Sequence, residues 1–178
     1  MVTYTEKELH FTFPDDLNWI ELDKRGNKLP IGMMFVDLVI ERDLDILMVE
    51  IKDPSHTRTP KSNRTQYLLE LKSNEKISKE LTPKIRDSFT FMHLMKKDIK
   101  PMKYIVLLGL DAFDIKTQKE LLGNFKDRLF RNIKQEADVP WAKEYLQDCM
   151  VMNIDIWNTS FPQWQVTRIS QQPQAGAN

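Results

Sequence analysis

Two apolar runs with a short polar stretch between them dominate the first third of the chain. The first covers residues 33–40 and the second ends in Glu50-Ile51-Lys52, with Glu41-Arg42-Asp43 separating them. Both runs are rich in Val, Ile, Leu and Phe and have the length of a strand, so they predict a β-hairpin. Residues 17–22 predict another strand, which the turn Arg25-Gly26-Asn27 joins to the hairpin in a three-strand meander.

Further along the chain, helical patterns alternate with a strand. Apolar residues recur at three- and four-residue spacing over residues 77–95, which predicts a long amphipathic helix with a kink or a fresh start at Thr82-Pro83. Residues 104–110 are apolar without alternation and predict a strand covered on both faces, followed by a second helix from about residue 116 to 134. We expect the outer face of the first helix to be solvated; it carries Lys79, Glu80, Lys84, Arg86 and Asp87.

The last part of the chain predicts smaller elements. Pro140-Trp141 opens a short helix that ends near Cys149, and residues 150–157 and 164–169 predict two more strands that extend the sheet. Three aromatic residues near the bend between those strands are expected in the core: Trp157, Phe161 and Trp164. The polar tail at residues 171–178 is expected to be disordered, which leaves a single domain over residues 1–170.

These elements predict an α/β fold. Its central mixed β-sheet consists of the antiparallel meander plus a crossover strand, and helices flank it. Because a helix connects the hairpin to the strand at residues 104–110, that strand can run parallel to the second hairpin strand through a right-handed crossover.

Asp37 is the residue in this pattern that demands a chemical explanation. It lies inside the first apolar run, where an unpaired carboxylate taken out of water costs several kcal/mol, so a lysine or a metal ion must compensate it. Side chains alternate between the two faces of a strand, which places Glu50 and Lys52 together on one face. An even-numbered turn brings Asp37 to that face, whereas a three-residue loop sends it to the other.

Two registers are compatible with an even turn. If Arg42-Asp43 forms the turn, Asp37 faces Met48 and Glu50 is its diagonal neighbour; if Asp43-Leu44 forms it, Asp37 lies directly opposite Glu50. In both registers the two carboxylates lie about 5 to 8 Å apart. One divalent ion can accept an oxygen from each at that separation.

Oxygen ligands alone favour Mg²⁺, with Mn²⁺ as a substitute, and fit zinc poorly, since the hairpin contains no His or Cys. Lys52 supplies a nearby ammonium that could hold or deprotonate a water, and burial beside a metal would lower its proton affinity. Two acids, a metal and a lysine are the parts needed for phosphodiester hydrolysis. The alternative is a solvated hairpin face with a cross-strand ion pair, which leaves the apolar neighbours of both acids unexplained.

The arrangement resembles the PD-(D/E)XK nuclease superfamily, whose signature is an acid on one strand and an (Asp or Glu)-X-Lys triplet on the next. The matching residues are Asp37, Glu50 and Lys52, while Val36 stands where the motif's name carries proline. The resemblance implies a restriction-endonuclease-like fold, a Mg²⁺ ion bound by the two acids and the carbonyl of Ile51, and a water assisted by Lys52. In similar folds a short N-terminal helix sometimes adds an acid near the metal. Glu6 and Glu8 are candidates for such a helix, and both stay outside the core site.

A cationic loop follows the triplet. Residues 54–69 contain no acid, and we expect Arg58, Lys61 and Arg64 either to contact a phosphate backbone or to belong to a solvated connection. The expected partner is a nucleic acid, with DNA as the first expectation. The chain would cut it alone, as a homodimer or as a subunit of a larger complex. The competing hypothesis is a non-catalytic nucleic-acid-binding or assembly subunit that keeps a nuclease-like fold.

Composition narrows the setting but not the substrate. The 178 residues carry 26 Lys plus Arg and 26 Asp plus Glu, which argues against a strongly basic nucleic-acid coat. The single cysteine, Cys149, excludes an internal disulfide, and the N-terminus lacks an apolar signal segment, so we expect a cytoplasmic protein. No stretch approaches the roughly 20 apolar residues of a membrane span, and no membrane partner is expected.

Overall fold

The computed structural model describes residues 1–24, 26–139 and 141–171. Within these ranges, eight strands form two sheets and four α-helices pack around them. The strands are β1 (Val2–Glu6), β2 (Leu9–Phe13), β3 (Asn18–Glu21), β4 (Leu38–Glu41), β5 (Ile46–Lys52), β6 (Met102–Leu108), β7 (Asp148–Asn153) and β8 (Val166–Arg168). The helices are α1 (Lys61–Lys72), α2 (Thr82–Leu94), α3 (Ile115–Lys134) and α4 (Ile154–Ser160), with a π-helical turn at Ile77–Leu81 before α2 and a 3-10 turn at Ile169–Gln171.

The larger sheet has five strands in the order β3-β4-β5-β6-β7. β3, β4 and β5 pair antiparallel, which confirms the meander, and β6 pairs parallel with β5 through the connection that contains α1 and α2. The expected mixed sheet with a crossover strand is therefore present. β7 adds a further parallel strand beside β6, as the sequence predicted for this region.

The alternation of side chains along β5 separates two cores. Ile46 and Met48 face the core packed beneath the helices, whereas Leu47, Val49 and Ile51 face a second core under the three-stranded sheet β1-β2-β8. Glu50 and Lys52 follow the parity of Met48 and therefore lie on the helical side of the sheet. The predicted aromatic core also holds, since the second core includes Trp157, Phe161 and Trp164.

Four local predictions are wrong. Glu6 lies on β1 and Glu8 in the turn to β2 rather than on a helix, because Leu9, Phe11 and Phe13 alternate with polar residues as a half-buried strand requires. Residues 141–147 form no helix, and the strand predicted over 150–157 ends at Asn153, whose side chain accepts from Ile156 N and caps α4. β8 joins the smaller sheet rather than extending the larger one.

Helix α1 has no counterpart among the predicted elements, because only Leu71 of its residues is buried and its sequence carries no apolar stripe. Helix α3 matches its prediction closely, with Leu121, Phe125, Leu129 and Ile133 buried. The tail predicted to be disordered lies, apart from residue 171, outside the described residues. Among the described helices, none combines the length and the apolar character that a bilayer crossing requires.

Candidate active site

The β4–β5 hairpin has the even register that brings Asp37 to the site face. Leu38 pairs with Val49, and Arg42 N donates to Asp45 O at 2.8 Å, so Asp43 and Leu44 form the centre of the turn. Extending this register by one residue places Asp37 opposite Glu50. Of the two registers that the sequence allowed, the structure has the one with the carboxylates directly opposed.

Helix α2 fixes the segment that leads into Asp37. Met34 N donates to Asp87 Oδ2 and Val36 N donates to Ser88 Oγ, both at 2.9 Å. Residues 33–37 precede β4. The side chains of Asp87 and Ser88 therefore satisfy backbone N–H groups that have no strand partner there. The solvated outer face expected for this helix is therefore wrong at Asp87, which is buried together with Ser88.

Glu50 lies at the centre of the site and is fully buried. Lys84, which α2 carries and which is only 9% exposed, places its Nζ 2.8 Å from Glu50 Oε1 and 3.0 Å from Oε2. The same ammonium is 3.9 Å from Asp37 Oδ1 and 3.9 Å from Asp23 Oδ2. One positive charge therefore already stands between the two carboxylates for which a shared cation was predicted.

Asp37 is held from the other side by the triplet itself. Ile51 N donates to Asp37 Oδ2 at 2.6 Å. The N–H and C=O of one strand residue point toward the same neighbouring strand, so the Ile51 carbonyl also faces the edge where Asp37 lies. Asp37, Glu50 and the Ile51 carbonyl thus share one corner of the sheet.

Lys52 bridges two acids. Its Nζ lies 2.6 Å from Glu50 Oε1 and also forms an ion pair with Glu80, which belongs to the π-helical turn. Burial of the ammonium acts to lower the pKa of Lys52, but Glu50 and Glu80 outweigh it and raise that pKa above its ordinary value. The lowered proton affinity was expected beside a metal ion, and it stays a prediction.

Burial raises the pKa of both candidate metal ligands. Loss of hydration is the largest cause for Asp37, although Lys84 and the hydrogen bond from Ile51 oppose it. For Glu50, burial and then the charge of Asp37 raise the pKa to about 7, against the lowering effect of Lys52 and Lys84. Because burial disfavours the charged form of each carboxylate, a positively charged partner nearby stabilises that form.

The donor set fits a magnesium ion. Among the described residues no group of three or more His, Cys, Asp or Glu side chains could hold a metal ion. Mg²⁺, however, typically uses one or two carboxylates and completes its shell with waters, which matches Asp37, Glu50 and the Ile51 carbonyl. The Lys84 ammonium lies between the two acids, 2.8 Å from Glu50 Oε1 and 3.9 Å from Asp37 Oδ1.

The cationic loop is divided between anchored and exposed parts. Its first residues are fixed, since Pro54 and Ser55 are buried and Thr57 N donates to Glu8 at 2.9 Å. Arg64 donates to the His56 carbonyl at 3.1 Å and is half-buried on α1. The other two candidate contacts, Arg58 and Lys61, are exposed and form no ion pair with any described residue.

Glu6 lies on β1 and not on the expected helix, and the charge of Asp37 acts on it. Its pKa is raised by burial and then by the charge of Asp37, and Lys52 lowers it weakly. Its carboxylate accepts a hydrogen bond from Tyr4 at 3.2 Å. Glu8 lies elsewhere, 3.1 Å from the buried guanidinium of Arg168.

The sequence pattern places Lys84 and Glu80 in solvent, although both contact the site. A signal for Lys84 is present: Lys84, Asp87 and Ser88 recur at helical spacing and form a polar stripe on one face of α2. No comparable signal marks Glu80, because it reaches Lys52 from a π-helical turn that periodicity does not reveal.

Comparison of the chain with protein-family models, with curated proteins and with solved structures finds no significant match in any of the three. The candidate site therefore has to be interpreted from its own chemistry.

Proposed function

We propose that this protein is a magnesium-dependent phosphodiesterase that cleaves nucleic acid, most directly DNA in the cytoplasm. The observation that carries the proposal is the convergence of Asp37 and Glu50 on one cation position, with Lys52 bound to Glu50 at 2.6 Å. The resemblance to the PD-(D/E)XK superfamily supports it through the same three residues.

The residues have distinct roles in this proposal. When bound, Mg²⁺ would neutralise the phosphate and polarise the attacking water. Asp37, Glu50 and the Ile51 carbonyl would hold the ion. Lys52 would orient the water or stabilise the negative charge that develops on the phosphate.

The exposed side chains of Arg58 and Lys61 lie on the chain segment that leaves the catalytic strand. They would meet the phosphate backbone beside the site, which adds affinity without sequence preference. We expect substitution of either residue to weaken DNA binding and to reduce its dependence on salt.

One observation favours a second function. Lys52 and Lys84 already supply two positive charges to Asp37 and Glu50, so the site is neutralised without a metal ion. A non-catalytic subunit that binds nucleic acid or assembles with other proteins would keep such ion pairs for stability alone.

Calorimetry with Mn²⁺ separates the two functions. The nuclease should bind one ion per chain, and Asp37→Ala should abolish this binding, whereas Asp127→Ala, at an exposed position on α3, should not change it. Nicking of supercoiled plasmid should then be lost in Lys52→Ala. Equal Mn²⁺ binding by the wild type and Asp37→Ala, or equal nicking by the wild type and Lys52→Ala, would rule out the proposed mechanism.

A further inference from the structure

The π-helical turn before α2 carries the second acid that contacts Lys52. Thr82 N donates to Ile77 O, the five-residue spacing that defines a π-helix, and Ile77 and Leu81 are buried beneath it. Such turns are rare and frequently occur at functional sites, where the extra residue redirects a side chain. Here the turn directs Glu80 toward the end of β5.

Both oxygens of Glu80 are occupied. Oε1 forms the ion pair with Lys52, and Oε2 lies 2.7 Å from Lys76 Nζ. Lys76 is itself held, with its Nζ 4.8 Å from the centroid of the Tyr67 ring and 3.7 Å from Glu70. Glu80 is therefore a fixed carboxylate and not a mobile surface acid.

Lys52 shares its other anion, Glu50, with the cation position. A metal ion bound by Glu50 would interact with the same carboxylate oxygens that now attract Lys52 and Lys84. The ion pair between Glu50 and Lys52 would therefore weaken. Glu80 lies outside the set of candidate metal ligands and would keep its contact with Lys52.

We propose that Glu80 is a positioning residue that holds the Lys52 ammonium in place once Glu50 binds the metal, with Lys76 bracing Glu80 from behind. This inference rests on the proposed function, because it assigns Glu80 a role in the same reaction. A purely structural ion pair would affect stability alone, whereas a positioning residue affects turnover without changing metal binding.

The test compares Glu80→Gln with Glu75→Gln in the full chain. The first substitution keeps the size of the side chain but removes its charge. Glu75 is a matched control because it precedes the same turn and, among the described residues, forms an ion pair only with the exposed Lys79. For plasmid nicking by Glu80→Gln we expect kcat to fall about 10- to 100-fold with KM unchanged, the usual effect of losing a residue that orients a catalytic group. Mn²⁺ affinity should stay at the wild-type value in both variants, and Lys76→Met should lower kcat in the same direction but less.

A second readout does not depend on turnover. Labelling of the Lys52 amine by an amine-reactive reagent, followed by mass spectrometry of the Mn²⁺-loaded protein, should be several-fold faster in Glu80→Gln than in the wild type or Glu75→Gln. Wild-type kcat together with wild-type labelling in Glu80→Gln would overturn the inference, and so would loss of Mn²⁺ binding, which would make Glu80 a ligand. A wild-type protein that neither binds Mn²⁺ nor nicks DNA would overturn the proposed function, and with it the role of Glu80. In a wild type that does bind Mn²⁺ and nick DNA, wild-type kcat and labelling in Glu80→Gln would overturn the role of Glu80 alone.

Discussion

Lys84 and Glu50 form a buried ion pair in which one ammonium contacts both carboxylate oxygens, at 2.8 and 3.0 Å. Lys84 comes from α2 and Glu50 from the centre of β5, so the pair links a helix to the middle of the larger sheet. A lysine in this position is a tethered competitor for any cation that the site binds.

Replacing Lys84 by Met should therefore have opposite effects with and without metal. In metal-free buffer Lys84→Met should lower the free energy of unfolding by about 1 to 3 kcal/mol, because Glu50 loses one of its two cations. Mn²⁺ should bind more tightly to Lys84→Met than to the wild type. Added Mn²⁺ should therefore raise the stability of the variant by more than it raises that of the wild type. Thermal unfolding with EDTA or Mn²⁺ measures both effects. Lys79→Met, at an exposed position, should leave Tm unchanged, and an Mn²⁺ affinity of Lys84→Met below that of the wild type would contradict the competition.

Arg168 should be the most damaging cation to remove. Its guanidinium is bidentate with Asp53, at 3.0 and 2.9 Å, and also contacts Glu8 and Asp111. Arg168→Met would leave the buried Asp53 without its counter-ion, together with the less buried Glu8 and Asp111, and we expect a loss of about 3 to 5 kcal/mol in urea unfolding. Arg131→Met, at an exposed position on α3, should unfold at the wild-type urea concentration. A loss no greater in Arg168→Met than in this control would mean that solvent screens the cluster.

Replacing each of two glycines by alanine should change the stability of the fold in opposite directions. A Cβ on Gly109 would press against Asp53 Oδ1 and lie 3.0 Å from Arg168 Nη2, so Gly109→Ala should destabilise the fold by about 1 to 3 kcal/mol. A Cβ on Gly123, inside α3, would meet nothing within 4 Å, and Gly123→Ala should stabilise it by about 1 kcal/mol. Chemical denaturation of both variants tests the packing at the carboxyl ends of β5 and β6, and similar shifts in the two would contradict it.

Asp45 should make stability depend on acid pH. Its hydrogen bonds from Arg42, and then those from Lys103, hold the pKa of Asp45 below its usual value although burial opposes them. A lowered native pKa stabilises the fold above the pKa of the unfolded chain, and this stabilisation is lost as the pH falls through the native value. The difference in the free energy of unfolding between the wild type and Asp45→Asn should therefore be complete at pH 7 and disappear as the pH falls below about 3.9. Asp43→Asn, on the exposed part of the same loop, should show no such difference from the wild type. If the difference for Asp45→Asn persisted in acid, it would come from the packing of the side chain and not from its charge.

The hairpin shows what the sequence could predict. The period-2 alternation placed Glu50 and Lys52 on one face, and parity showed that an even turn brings Asp37 to that face whereas a three-residue loop does not. The sequence did not decide among the two even turns and the odd loop; the hydrogen bond from Arg42 N to Asp45 O decides it.

The wrong predictions have physical causes of their own. Helix α1 buries little, so no periodic pattern predicts it, and Arg64 lies on a helix where the sequence indicates a loop. The pattern places Lys84 in solvent because lysine is seldom buried, yet an acid on the opposing sheet makes its burial favourable. Asn153 lies in an apolar run whose strand pattern hides its capping role.

The contact between Arg168 and Glu8 joins residues that are 160 positions apart. During synthesis, β1 and β2 must wait for almost the whole described chain before Arg168 can reach Glu8 and Asp53, so the smaller sheet closes last. Such long-range closure slows folding. A chain still on the ribosome would accordingly hold the two strands of the first hairpin without the residue that ties them to the edge of the candidate site.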